Sequence, residues 1–223
     1  VTATNADDAD IGLGEPRTRN VEIKHIVGED YGTIYGVSYV RDDSGTIVYD
    51  IDSEGVPRAQ LGPREILGSG VPPIQWGWSN TFTYKNWSLY FLIDGKSGGQ
   101  IFSGSNATLT SNGLHKQTLE GRQDGLAVSG IDGATGTAFQ TVVAPEDLSI
   151  YWSREAGIAE AFVQDADFIK FRQLSLSYNL PRSIFENNFL ESVNVAFIGN
   201  NLFFISRSVD NIDPEAAYNV GNA

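Results

Sequence analysis

Residues 75–94, QWGWSNTFTYKNWSLYFLID, constrain this chain more than any other stretch. Trp76, Trp78, Phe82 and Tyr84 fall on one parity, and Gly77, Ser79, Thr81 and Thr83 on the other. That is the period of a β-strand, whose successive side chains point to opposite faces. Asn80 alone breaks the apolar row. After Lys85-Asn86 the alternation resumes, with Trp87, Leu89, Phe91 and Ile93 against Ser88, Tyr90, Leu92 and Asp94. Two strands joined by so short a link make an antiparallel hairpin.

The faces are unusual. A half-buried strand of a soluble sandwich sets Val, Ile and Leu against Lys, Glu or Thr. Here one row is largely aromatic, and the other is small and uncharged until Asp94. Lipid-spanning strands have this character, with aromatic girdles at both interfaces. Residues 74–84 supply the roughly 9–11 tilted residues a span needs. Periodicity alone leaves a soluble β-sandwich hairpin open.

Gly, aromatic residues and strand formers dominate the 223 residues, so the chain reads as all-β. A formal charge of −13 argues against a nucleic-acid partner, which needs a basic patch. The lack of Cys removes disulfide, thiolate and zinc-finger chemistry. No apolar run reaches the ~18 residues of a transmembrane helix. With Val1 rather than Met first, the chain is expected to be a piece of something longer.

Residues 1–73 read as a large loop or small β-subdomain. An acidic start (Asp7, Asp8, Asp10) precedes short strands at 21–27, 31–40 and 46–51. Turns fall at 41–45 and 52–55, and the Pro and Gly between Pro57 and Pro73 leave no room for a long element. The Gly-rich run 95–99 bends the second strand before Gln100. Residues 104–167 read as another long connection, with a short helix over 154–163. The period of two returns at 168–180, where Leu174, Leu176 and Tyr178 alternate with Ser175, Ser177 and Asn179. Pro181 ends that strand, 182–191 fit a turn-helix, and Val193, Val195 and Phe197 begin a fourth strand. Gly199-Asn200-Asn201 marks a bulge before Leu202-Phe203-Phe204, and 206–223 is polar loop.

Short links (Lys85-Asn86 and 181–192) alternate with long connections. Outer-membrane barrels sort their loops that way, with short periplasmic turns and long extracellular loops. The expectation is an antiparallel transmembrane β-barrel segment of about four spanning strands. Its hairpins are 74–103 and 168–205, with 1–73 and 104–167 as extracellular loop regions. Those regions hold Asp42, Asp43, Asp50, Asp52, Asp124, Asp132, Glu146 and Asp147. Four strands cannot close a barrel, since the smallest have about eight. The edges at Ile74 and Ile205 are therefore expected to need strands supplied from elsewhere.

NTFTYKNWSLYFLIDGKSGGQIFS (80–103), DADFIKFRQLSLSYNLPRSIF (165–185) and VNVAFIGNNLFFIS (193–206) resemble the C-terminal part of the SusC/RagA family of TonB-linked outer-membrane proteins. VGEDYGTIYGVSYVRDDSG (27–45) and Asp213-Pro214 also match that pattern. The resemblance implies a large barrel with an N-terminal plug, absent from these residues, capped by a SusD-like surface lipoprotein. It further implies import of oligosaccharides or peptides across a Gram-negative outer membrane, with energy relayed through the TonB complex. Neither a cofactor nor a metal is implied.

Other chemistry is thin. Asp50-Ile51-Asp52-Ser53-Glu54-Gly55 imitates the start of a calcium loop, but its twelfth position is Leu61 rather than Glu; the alternative is a hairpin turn. His25 and His115 stand far apart. Asn86-Trp87-Ser88 and Asn106-Ala107-Thr108 match glycosylation acceptors that a bacterial context makes incidental. Glu155 and Glu160 could pair as acid and base, with nothing in the sequence to join them, so an enzyme has no constellation behind it. Substrate-contacting residues stay unassigned.

Lys170 and Arg172 share parity with Leu174 and Leu176 and would face lipid. Arg172 would stand roughly 14 Å above a girdle at Tyr178, inside a band about 25 Å tall. Either a bulge near Gln173 inverts the parity, or both cations lie near the outer headgroups. The alternative to the importer is a soluble or cell-surface carbohydrate-binding module with Trp76, Trp78 and Trp87 as a sugar-stacking face.

Overall fold

The computed structural model describes residues 10–12, 21–185 and 192–215. Asp7, Asp8, most of the turn-helix expected after Pro181, and 216–223 lie outside the described residues. In chain order the strands are β1 (Asp10–Gly12), β2 (Val21–Ile26), β3 (Thr33–Tyr39), β4 (Val48–Ile51), β5 (Pro57–Ala59), β6 (Leu61–Ser69), β7 (Ile74–Tyr84) and β8 (Trp87–Ser97). Then come β9 (Gln100–Phe102), α1 (Gly104–Ser111), β10 (Leu126–Asp132), β11 (Ala138–Val143), α2 (Leu148–Glu155), β12 (Val163–Asp165), β13 (Phe168–Asn179) and β14 (Asn194–Arg207). The chain divides into two compact units, one of Val1–Val71, Gln100–Gln164 and Asn211–Ala223, the other of Pro72–Gly99 and Asp165–Asp210.

The first unit holds two open four-stranded sheets, in the orders β1-β2-β3-β6 and β11-β10-β4-β5. All their pairings are antiparallel except β4 with β10, which meet in parallel at Val48 and Ile131. β10 buries Leu126 and Val128 and exposes Ala127 and Ser129, so a short alternating strand suffices to line a core. That core gathers Tyr49, Val56, Ala59 and Val143 with Leu148 and Tyr151 of α2. A second core joins Val21 and Ile34 to Phe102, Ala107, Ala159 and Phe162.

Three of the hairpin turns share one device. Asp42, Asp52 and Asp132 each accept the backbone N–H two residues on, at 3.0, 3.0 and 2.9 Å. Asp42 and Asp52 also accept the N–H four residues on, at 2.9 Å each. Gly45 and Gly55 complete the first two with φ of 85°, a conformation that side chains with a Cβ resist. These N–H groups, with the Ser44 hydroxyl foremost at Asp42, hold all three carboxyls below the usual range.

Three expectations fail in this unit. The stretch 57–73 contains the nine-residue strand β6 despite Pro63. Pro is tolerated there because β6 is an edge strand whose pairing with β3 already slips between Val37 and Tyr39. The helix expected over 154–163 lies instead at Leu148–Glu155, whose buried row is Leu148, Tyr151 and Glu155. Residues 159–162 are only a 3₁₀ turn. The connection 104–167 is likewise built from α1, β10, β11 and α2 rather than loop.

The second unit is one antiparallel sheet in the order β14-β13-β8-β7. Its two edges, β7 and β14, are unpaired among the described residues, and no closed barrel forms among them. Lys85-Asn86 turns β7 into β8, with Lys85 at φ 52°. β8 runs on through Gly95 to Ser97. A Cβ at Gly95 would stand 2.8 Å from the Phe168 carbonyl oxygen and from the Trp76 ring. Glycine is needed there for close approach of strand and indole.

Candidate functional site

The site with a clear physical signature is the sheet of the second unit. Cross-strand register sets Phe82, Leu89, Leu176 and Phe197 in one row. The next rows are Asn80, Phe91, Leu174 and Gly199, then Trp78, Ile93, Phe171 and Phe203. Toward the tight turn the row is Tyr84, Trp87, Tyr178 and Val195. All lie on one face, since ring contacts run from Trp78 to Phe91 (5.1 Å between centroids), Phe91 to Phe171 (6.3 Å) and Phe171 to Phe203 (5.5 Å). An aromatic ribbon thus crosses all four strands. Trp87 and Tyr178 meet at 4.6 Å near the turn.

This face is bare. Phe82 is 56% exposed, Leu176 41% and Phe197 73%. Soluble monomers rarely leave so continuous an apolar band in water. The opposite face has Thr83, Ser88, Ser177 and Ala196 in one row and Thr81, Tyr90, Ser175 and Ile198 in the next, with Ser79 against Leu92 beyond them.

The cations of β13 find their place through a bulge. Phe171 pairs with Ile93 but Gln173 with Leu92, so β13 has one extra residue, Arg172, against β8. Phe171 remains on the aromatic face, and Arg172 and Gln173 both turn to the polar one. Arg172 Nε donates to Asp94 Oδ2 at 2.9 Å and its Nη2 lies 2.7 Å from the same oxygen. Its Nη1 donates to Asn201 Oδ1 at 2.9 Å. Asn201, at φ 51°, belongs to the matching irregularity on β14, where residues 199–201 were expected to bulge. Lys170 lies opposite Asp94, almost buried, its ammonium 4.5 Å from the Phe204 ring centre. Of the two arrangements open in the sequence, the parity inversion is the one present. The Asp94–Arg172 pair was not foreseen; Asp94, the one acid on the polar row of β8, was its signal.

The remaining candidates, Asn86 apart, fall in the first unit. Asp52 organises the β4–β5 turn, its Oδ2 taking Arg58 Nη2 at 2.8 Å, while Asp50 accepts from Gln60 at 2.6 Å. The calcium-like motif therefore folds as a hairpin turn. His25 is buried, stacked on Tyr31 at 3.9 Å, with Nδ1 accepting from the Gly32 N–H. His115 Nδ1 accepts from the Gln117 N–H in a separate turn. No group of three metal-capable side chains occurs among the described residues. Of the two acceptor motifs, Asn86 sits in the tight turn and Asn106 is wholly buried.

Glu155 and Glu160 do approach one residue. The Tyr39 phenol donates to Glu155 Oε2 at 2.6 Å, and the Tyr39 N–H donates to Glu160 Oε2 at 2.8 Å. Arg41 holds the other Glu160 oxygen at 2.7 Å. Burial pushes the Glu155 carboxyl up, a rise the Tyr39 hydrogen bond opposes. Burial, then the charge of Glu155, pushes the Tyr39 and Tyr151 phenols well above their ordinary value. The Tyr39 phenol stays protonated and donates, so the arrangement braces β3 against α2 and its following turn. Its sequence signal was the helical spacing of Leu148, Tyr151 and Glu155, which puts the acid on the buried face.

No protein-family model matches the chain. Among curated proteins, TonB-dependent receptor P3 of Formosa agariphila is 26% identical over 213 residues, covering 87% of this chain and 20% of that receptor. The chain is similar to TonB-dependent receptors. A second one from the same organism, P26, is 24% identical over 68% of the chain and 14% of its own length. The chain thus spans a fifth or less of the curated relatives it matches. Among solved structures, the RagAB peptide importer in its open-open state superposes with a TM-score of 0.51 at 19% identity, over 93% of this chain and 25% of that one. The closed-closed state gives 0.50 at 18%. The likeness extends over most of the chain and shows a mostly β, largely antiparallel fold related to that transporter. These relatives are named as receptors and importers, not enzymes.

Proposed function

We propose that the sheet of the second unit is part of the wall of an outer-membrane β-barrel importer, in which this chain is a C-terminal portion. The aromatic face meets lipid and the serine- and threonine-rich face meets the lumen. The observation that carries this reading is the exposed aromatic band crossing four strands, with every charged residue of its central rows turned to the other face. From Trp76 to Tyr84, eight residue rises tilted by about 40° span roughly 20 Å of bilayer. The open edges of β7 and β14 fit too. In lipid each unpaired backbone group costs several kcal/mol, so both edges require further strands and a closed barrel.

In this reading the residues 1–73 and 104–167 are extracellular and dock a SusD-like lipoprotein, and TonB supplies the energy. The cargo is an oligosaccharide or a peptide. A sugar-stacking module would also expose Trp76, Trp78 and Trp87. The band's continuation through Leu89, Leu176 and Phe197 favours lipid, which needs no sugar-sized spacing. The test is uptake of labelled oligopeptides and oligosaccharides by cells expressing the full receptor, with and without TonB. Uptake of one class that stops without TonB is expected. Normal uptake of both classes after removal of the receptor would contradict it.

A further inference from the structure

Among the described residues β11 is a sheet edge of the first unit without the usual guards, and we infer that it accepts an extended, lysine- or arginine-bearing segment of another protein as an added strand. The inference goes beyond the import reading and does not need it. Natural edge strands are blunted by charge, Pro, bulges or cover. β5 has Pro57 and Arg58, and Arg154 donates to its Ala59 carbonyl at 2.8 Å. β6 has Pro63, Arg64 and Glu65, and its register with β3 slips twice. β11, AFQTVV, has no charge and no Pro, and pairs with β10 without a slip from Leu126–Val143 to Ile131–Ala138.

β11 is also anchored and open. Phe139 packs edge-on against Tyr49 at 5.6 Å and Val143 is buried, which fixes the strand. Val142 is 60% exposed, with Ala138 and Gln140 exposed beside it. No backbone hydrogen bond between described residues reaches the outer side of this strand. Such an edge offers its outward N–H and C=O groups to an incoming strand, with alternate side chains adding specificity.

Charge selects the occupant. Asp124 and Glu146 are exposed and Asp147 half-exposed around the Val143 end, against Arg122, whose Nε is held by the Thr118 carbonyl. A second copy carries the same charge of −13 and is disfavoured; a cationic segment is favoured.

The test adds an acetylated peptide of about eight alternating Lys and Val residues to the purified full-length protein and follows amide hydrogen exchange over 138–143. Expected is slowed exchange there, with no slowing when alternate peptide nitrogens are methylated or when Glu replaces Lys. Val142→Lys should weaken binding roughly two- to fivefold and Val142→Glu strengthen it as much, the size of exposed charge pairs. Equal binding of the methylated peptide, protection elsewhere only, or protection already complete without peptide would each overturn the inference. Concentration-dependent pairing of receptors through 138–143 would overturn it in favour of a second copy.

Discussion

Gly95 and Glu155 show how single residues fix this structure. At Gly95 any side chain meets backbone, the Phe168 oxygen, as well as the Trp76 ring. Gly95→Ala is expected to destabilise the sheet by about 1–3 kcal/mol, the usual cost of overpacking, read from denaturant unfolding of the protein in detergent. Gly77→Ala, where the nearest atom is 3.8 Å away, is the control and should be nearly neutral. Glu155 behaves differently. Its carboxyl is raised by burial, so the fold favours the protonated form. That contribution is complete below the ordinary carboxylate range and is lost as pH rises through the folded-state value. Glu155→Gln should therefore match or exceed the parent in melting temperature at pH 7–8, with the difference gone near pH 4. A larger loss at pH 8 than at pH 4 would contradict it. Asp52 has the opposite sign, because its lowered carboxyl stabilises above the ordinary range and the benefit fades as pH falls. Asp52→Asn should cost stability at neutral pH and little in acid.

Among elements, the bulge at Arg172 is the informative one. It lets β13 keep both Phe171 and Leu174 on the aromatic face while Lys170 and Arg172 turn away. Cysteine scanning along 168–178 should show labelling by a water-soluble reagent that alternates, with one phase break at Arg172–Gln173. Unbroken alternation would contradict the bulge. The four long strands were legible in the sequence because a period of two runs through β7 and β8 and returns over 174–179 of β13 and 193–197 at the start of β14. β10, β11 and β6 were not. β6 reads LGPREILGS, whose Pro and Gly say turn, and only its place at an edge makes a strand possible. β10 joins β4 in parallel through residues distant in the chain, Ile131 and Val48, and no local pattern announces such a pairing. The alanine-rich stretch 154–163 looked helical, whereas the buried row Leu148–Tyr151–Glu155 set the helix earlier. At the candidate site the two faces were readable residue by residue, but the ion pair of Asp94 with Arg172 was not, since it depends on a one-residue shift between strands.

For the whole molecule the claim is that one face of the second unit meets lipid. A cation placed at mid-depth on that face should cost about 2–4 kcal/mol, as at Leu174→Arg in the central row, while Ser175→Arg on the opposite face should cost little. Folding of the full-length protein into bilayers from denaturant reads both. The most direct measurement places spin labels singly at Leu89, Leu176, Ser88 and Ser177 of the full-length protein in bilayers, and compares relaxation by oxygen with relaxation by a water-soluble nickel chelate. Leu89 and Leu176 should respond to oxygen and resist nickel, and Ser88 and Ser177 should do the reverse. Equal access of the nickel chelate to all four positions would contradict the account.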